Sequence, residues 1–316
     1  MKKILFIIGI IAIIILSGYT IYVAQKPMID PGPERISIVT TLFPQYNFAK
    51  IVGGSRANVT LLLPPGVEAH AFEPTPSDII KINKADIFVY TGKFMEPWAY
   101  DLIKGIDEGV RVVDTSTGIK LIEKEEKDYH QEEKKDHHDN GIDPHIWLNF
   151  ANAKIMAENI AQVLSEIDPE NTNYFQGNLG RLQRQLSQLD NKYKDVLANC
   201  RTRTIVFGGH YAFGYLAKRY NLRHVAAQGF SPKAEPTAQD LITIIKQIRR
   251  ENVNYIFYEE LASPRIAEIL AAETGIKLLS LNPAHNLSKE DFLAGASFTS
   301  IMEENLKNLS IGLECL

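Results

Sequence analysis

Residues 168–198, DPENTNYFQGNLGRLQRQLSQLDNKYKDVLA, carry apolar side chains at Phe175, Leu179, Leu182, Leu186, Leu189, Tyr193 and Val196. Steps of four and three in alternation keep these residues on one stripe of a helix. Asp168 is the expected N-cap. Pro169 follows at the first helical position, where its missing N–H leaves no bond unmade and its fixed φ suits the turn. A helix from Pro169 to about Ala198 would be roughly 45 Å long at 1.5 Å per residue, enough to lie across two domains. A coiled-coil dimer is the competing reading, but only about four heptads are present and folded sequence on both sides offers the stripe a surface.

The flanking sequence supplies those domains. Before the helix, β-rich runs at Ile36 to Thr40, Val59 to Leu63, Ile87 to Thr91 and Val110 to Val113 alternate with helical patterns opening near Gln45, Ser77 and Trp98. After it, Thr204 to Phe207, His224 to Ala227, Tyr255 to Tyr258 and Lys277 to Leu281 repeat the alternation. Strands separated by helices imply parallel sheets with crossover connections. The expected fold is α/β: two Rossmann-like lobes with parallel sheets, residues 36–167 and 201–316, joined by one long rigid helix at 168–200.

At the N-terminus, Lys2 and Lys3 precede a run from Ile4 to Ala24 that is apolar except for Ser17, Tyr19, Thr20 and Tyr22. Residues 1–26 read as a signal peptide or an N-terminal membrane anchor, and either places the rest outside the cytoplasm, in a periplasm or on the outer face of the membrane. Cleavage after Ala24 would put the bulky Tyr22 where a small residue is preferred. Leu16-Ser17-Gly18-Tyr19 has the frame of a lipoprotein signal, but Tyr stands where the lipidated Cys would be. Residues 27–35, with Pro27, Pro31, Gly32 and Pro33, read as a linker.

The 316 residues are 45% hydrophobic and 23% charged with a net charge of −4, so no basic excess is available to neutralise nucleic-acid phosphates. The two cysteines, Cys200 and Cys315, form no Cys-x-x-Cys motif. In an exported chain they are candidates for a disulfide, although sequence does not show that they meet. Residues 123–143 hold nine acidic residues, four lysines and His130, His137 and His138. Such a polar stretch reads as a mobile acidic loop, either a weak metal-collecting site or a solvated charge run.

The remaining histidines are more informative. His70 follows the strand ending at Leu63, His210 follows Phe207 through Gly208 and Gly209, and His285 follows Leu281 through Asn282 and Pro283. Open parallel sheets bind ligands beyond the carboxyl ends of their strands. His145 lies before a helix in Asp143-Pro144-His145-Ile146-Trp147-Leu148. One such histidine is unremarkable; four, two in each half, indicate a metal site.

The stretch from Gly66 through His70-Ala71-Phe72-Glu73-Pro74-Thr75-Pro76-Ser77 to Asp78, then Ala85-Asp86-Ile87, Asp143 to Asn149, His210 to Tyr215 and Arg219-Tyr220 resemble the metal-binding subunits of bacterial zinc and manganese ABC importers, of the ZnuA and AdcA type. The likeness runs over residues 36–316. It implies two α/β lobes joined by a rigid helix, metal held between them by His70, His145 and His210, and delivery to an importer permease with its ATPase by a monomeric binding protein, not an enzyme. The fourth ligand departs from the family's common pattern. Where many members have Leu-Asp-Pro, this chain has Leu281-Asn282-Pro283, and His285 stands where some zinc-binding members carry Glu, so His285 is the expected fourth ligand. Four neutral imidazoles would leave the ion's charge uncompensated, and Glu259 and Glu260 are the candidate carboxylates behind them. Imidazole donors suit Zn²⁺, whereas manganese favours carboxylates, which manganese-binding members usually carry at the position of His210. A zinc hydrolase with an open fourth position, and a manganese-binding or adhesive member of the same family, are the alternatives. No His-Glu-x-x-His motif supports the hydrolase.

Overall fold

The computed structural model describes residues 35–123, 141–229, 236–259, 261 and 263–316. The N-terminal segment, most of its linker, His130, His137, His138 and Glu260 lie outside the described residues. Among the described residues, no helix is long and apolar enough to cross a membrane.

Strands β1 (Ile36–Thr40), β2 (Ala57–Leu61), β3 (Ile87–Tyr90) and β4 (Arg111–Asp114) form a parallel sheet in the order β2-β1-β3-β4. Strands β5 (Thr204–Phe207), β6 (Arg223–Ala226), β7 (Tyr255–Tyr258) and β8 (Lys277–Ser280) form a second in the equivalent order, β6-β5-β7-β8. In each sheet the chain winds outward in both directions from its first strand, so a crevice opens at the carboxyl ends of β1 and β5. The helices are α1 (Phe43–Gly53), α2 (Pro76–Asn83), α3 (Pro97–Leu102), α4 (Phe150–Ile167), α5 (Thr172–Leu197), α6 (Gly214–Arg219), α7 (Ala238–Glu251), α8 (Arg265–Thr274), α9 (Lys289–Leu293) and α10 (Phe298–Gly312).

Both sheets are covered on both faces, which is why their central strands are continuous apolar runs. Ile38, Ile87 and Val89 face a core that also takes in Ile205, Phe207 and Phe257 of the second sheet. Their neighbours point the other way: Val39, Phe88 and Tyr90 join an outer cluster with Ile82, and Val206, Val225 and Ile256 join another with Ile244, Ile248 and Leu270. Edge strand β2 instead alternates between partly buried and exposed residues. It begins at Ala57, before the apolar run expected from Val59. Leu62 and Leu63 are buried beyond its end.

The long helix ends at Leu197 with Ala198 as its cap, as expected, and departs from expectation in its opening turn and its last buried position. Pro169–Asn171 form a 3-10 turn before α5, and Asp168 makes no capping bond to the backbone because its carboxylate accepts from Asn171 Nδ2 at 2.9 and 2.7 Å. At the other end the buried stripe finishes on Leu197, while Val196 is only partly buried. A straight helix drifts about 20° per heptad against a strict 3.5 repeat, so after three heptads the next position takes over the buried face. The early part of α5 meets the N-terminal lobe, where Asn178 Nδ2 donates to Val52 O at 2.9 Å. Its later part meets the C-terminal lobe: Tyr193 Oη donates to Met302 O at 2.6 Å, and Arg219 grips Asp190 through two bonds of 2.6 Å. Beyond it, Cys200 and Cys315 are joined as a disulfide between positions 115 residues apart.

Candidate metal centre

His70 lies in a 3-10 turn, Ala69–Ala71, after β2, and its backbone N–H donates to the side chain of Glu68, the cap of that turn, at 2.9 Å. Downstream, Thr75 and Asp78 exchange side-chain-to-backbone bonds in a capping box around Pro76 and start α2, which accounts physically for the Thr-Pro-Ser-Asp motif. His145 precedes a second 3-10 turn, Ile146–Leu148, and is fully buried. His210 leaves β5 through Gly208, which passes so close to α8 that a Cβ there would lie 2.6 Å from the Ala267 Cβ. His285 follows β8 and is 1% exposed.

The turns bring imidazole nitrogens together across the two lobes. His145 Nε2 is 3.2 Å from His70 Nε2 and 3.2 Å from His210 Nε2. Donor atoms of His70, His145 and His210 lie within 4.8 Å of one another, the spacing of a set that can hold one cation. His285 packs beside this trio, its ring centre 5.9 Å from that of His70 and 5.8 Å from that of His210.

Carboxylates stand behind the rings. Asp143 Oδ1 accepts from the backbone N–H of His145 at 3.0 Å and lies 2.8 Å from its Nδ1. A proton held on Nδ1 leaves the Nε2 lone pair facing the other histidines. Burial keeps the His145 imidazole well below its ordinary pKa, and positive charge on His210, His70, His285 or His224 would press it further down. Burial also pushes Asp143 well above the carboxylate range, opposed by the His145 N–H. Glu259 Oε2 is 2.9 Å from His210 Nδ1, and its Oε1 is 3.2 Å from His285 Nε2. Burial pushes Glu259 upward too, but the His210 and His285 imidazoles against its carboxylate outweigh it and hold the group well below the usual carboxylate range.

Of the carboxylates, sequence reasoning singled out Glu259 and left Asp143 without a role, although an acid two residues before a candidate ligand was the available signal. Trp147 was likewise missed: its ring edge meets His145 at 5.5 Å between centres, and its Nε1 donates to Pro283 O at 2.7 Å. The eighth histidine, His224, is buried in β6 against Tyr211, Phe207 and Phe213.

The family model described as zinc-uptake complex component A, periplasmic, matches residues 38–312. The chain is 38% identical over 279 residues to the zinc-binding lipoprotein AdcA of Streptococcus pneumoniae, which covers 87% of this chain and 55% of that protein. The chain thus spans about half the length of that relative. Against the high-affinity zinc uptake system protein ZnuA of Bacillus subtilis it is 36% identical over 292 residues, 92% of this chain and 91% of the relative. The crystal structure of the Zn(II)-bound ZnuA-like domain of S. pneumoniae AdcA superposes with a TM-score of 0.75 at 34% identity, covering 89% of this chain and 99% of that one. The laminin-binding protein Lmb of Streptococcus agalactiae, described as bifunctional with adhesin and metal-transporting activity, gives 0.77 at 29% identity, covering 89% of this chain and 100% of that one.

Proposed function

The chain belongs to the family of the periplasmic zinc-uptake component A, and from that premise we propose that it captures Zn²⁺ outside the cytoplasm and delivers it to the permease, and through it the ATPase, of an ABC importer. The observation that carries the reading is the convergence of three Nε2 atoms from His70, His145 and His210, drawn from both lobes. An all-nitrogen donor set suits zinc better than manganese. His285 is the fourth donor in this reading, since it lies against the trio with its Nδ1 buried and without a hydrogen-bond partner. Glu259 offsets the ion's charge from behind the ligands, and Asp143 orients the His145 ring through its Nδ1. Both carboxylates are turned toward imidazole nitrogens, which supports holding an ion over hydrolysis at an open position. The protein works as a monomer, held to or released from the membrane through residues 1–26, and the acidic loop adds weak zinc binding.

Native mass spectrometry of the chain from residue 27 onward, stripped and reloaded with mixed zinc and manganese, is expected to give one tightly held zinc. In zinc titrations, His70→Ala and His210→Ala each lower affinity at least about tenfold by leaving the ion short of a donor. His285→Ala weakens binding without abolishing it, and His285→Glu retains it. Unchanged isotherms in both His70→Ala and His210→Ala would remove the reading.

A further inference from the structure

The loop that carries His285 is fastened to the opposite lobe. Its root belongs to the C-terminal lobe: the Asn282 N–H donates to Asn305 Oδ1 at 2.9 Å, and Asn305 Nδ2 donates to Asn282 O at 2.7 Å. Beyond that root the partners change sides. Pro283 O accepts from Trp147 Nε1 at 2.7 Å, His285 O accepts from the Phe43 N–H at 3.1 Å, and Leu287 O accepts from the Gly66 N–H at 2.9 Å. Ala284, between root and fastening, sits at φ 59°, a left-handed conformation that alanine adopts only when its surroundings impose it.

Asn286 supplies the side-chain part of this fastening. It is 1% exposed, and its Nδ2 donates to Pro64 O at 2.8 Å and to Val67 O at 2.7 Å, both on the segment that leads to His70. Its Oδ1 accepts the Leu287 N–H at 2.9 Å, so both donors and the acceptor of the amide are engaged. A single planar group thereby ties the His70 segment of one lobe to the His285 segment of the other. An aspartate of the same shape would set oxygen lone pairs against two carbonyls.

We infer that Asn286 is a positioning residue that latches the His70 and His285 loops together and so governs how fast zinc leaves. The inference rests on the zinc-binding reading above. An ion enters before the latch closes and leaves only after it opens, so its loss acts on release more than on capture. Two lost hydrogen bonds correspond to a release rate raised about tenfold or more.

The test is stopped-flow zinc association and chelator-driven dissociation for wild type, Asn286→Ala, Asn286→Asp and Asn308→Ala. Asn308 is the control: its Nδ2 donates to Ser280 O at 3.0 Å, wholly within the C-terminal lobe. Asn286→Ala is expected to raise the dissociation rate about tenfold or more with association changed less than about threefold, and Asn286→Asp to raise it further. Asn308→Ala should lower thermal stability while leaving release unchanged. A wild-type release rate in Asn286→Ala, or an equal rise in Asn308→Ala, would overturn the latch. If wild type itself holds no zinc, the metal reading has failed instead. Should Asn286→Ala not fold, amide exchange at Gly66 and Phe43 in the wild-type protein decides: zinc is expected to slow both, and no slowing rejects the proposal.

Discussion

The two halves of the molecule share one sheet topology but hold their buried acids in opposite ways. In the N-terminal half, Asp143 and Glu96 have no lysine or arginine bonded to them among the described residues. Glu96, 2% exposed, accepts from the hydroxyls of Thr41 and Thr91 and from the N–H groups of Thr91 and Gly92. Those neutral donors only partly counter burial, which pushes its carboxyl up to about 7. Glu259 in the C-terminal half touches two imidazoles and is driven down. Desolvation is common to all three, and only Glu259, with two imidazoles against its carboxylate, gains enough from its partners to overcome it. The C-terminal half therefore carries the ready negative charge at the centre, and the N-terminal half carries acids whose ionisation is costly.

The largest effect that separates the halves is expected from the disulfide, which closes only the C-terminal one. Replacing Cys200 and Cys315 by serine frees a separation of 115 residues. The chain-entropy model puts the loss at about 4 to 5 kcal/mol, with measured values often smaller. Denaturant unfolding should show the loss while zinc affinity changes little, and an affinity loss as large as the stability loss would mean that the crosslink shapes the site. Next comes Glu96. Its folded-state pKa lies above its ordinary value, so between about 4.5 and about 7 the folded state holds a proton that the unfolded state has released. Its contribution to stability therefore falls as pH rises through that window, by up to about 3 kcal/mol. Unfolding of wild type and Glu96→Gln at pH 5 and pH 7 should show the slope difference with that sign; parallel slopes would remove Glu96 from the comparison.

The carboxylates at the site sharpen the contrast further. Glu259→Gln weakens the backing of two histidines and should lower zinc affinity by about 100-fold, the upper end for groups that orient ligands. Asp143→Asn weakens the backing of one, and about tenfold is expected. Competition titrations against a zinc chelator measure both, and equal losses would show that the halves contribute alike.

Much of this organisation was legible in the sequence because it rests on periodicity. The runs at Ile36 and Thr204 and the stripe from Phe175 to Tyr193 mark buried surfaces that any α/β arrangement must pair. His70, His210 and His285 could be placed because each follows such a run. What stayed hidden depends on contacts distant along the chain. The role of Asn286 requires its carbonyl partners more than 200 residues away, at separations of 222 and 219. Asp143 was quoted within a motif but acquires meaning only when His145 is seen to need a proton on Nδ1. Asp168 looked like a cap because sequence cannot show that Asn171 competes for its carboxylate.

The inner core that joins Ile38, Ile87 and Val89 to Ile205, Phe207 and Phe257 also carries a consequence for how the chain folds. Each sheet owns only its outer cluster, while the residues of its inner face belong to one buried cluster that both halves build together. Either half, cut free near residue 198, would lose the other half's side of that cluster. Calorimetry of the intact protein should thus show one cooperative transition, and the halves can diverge in sequence only while their common wall stays matched.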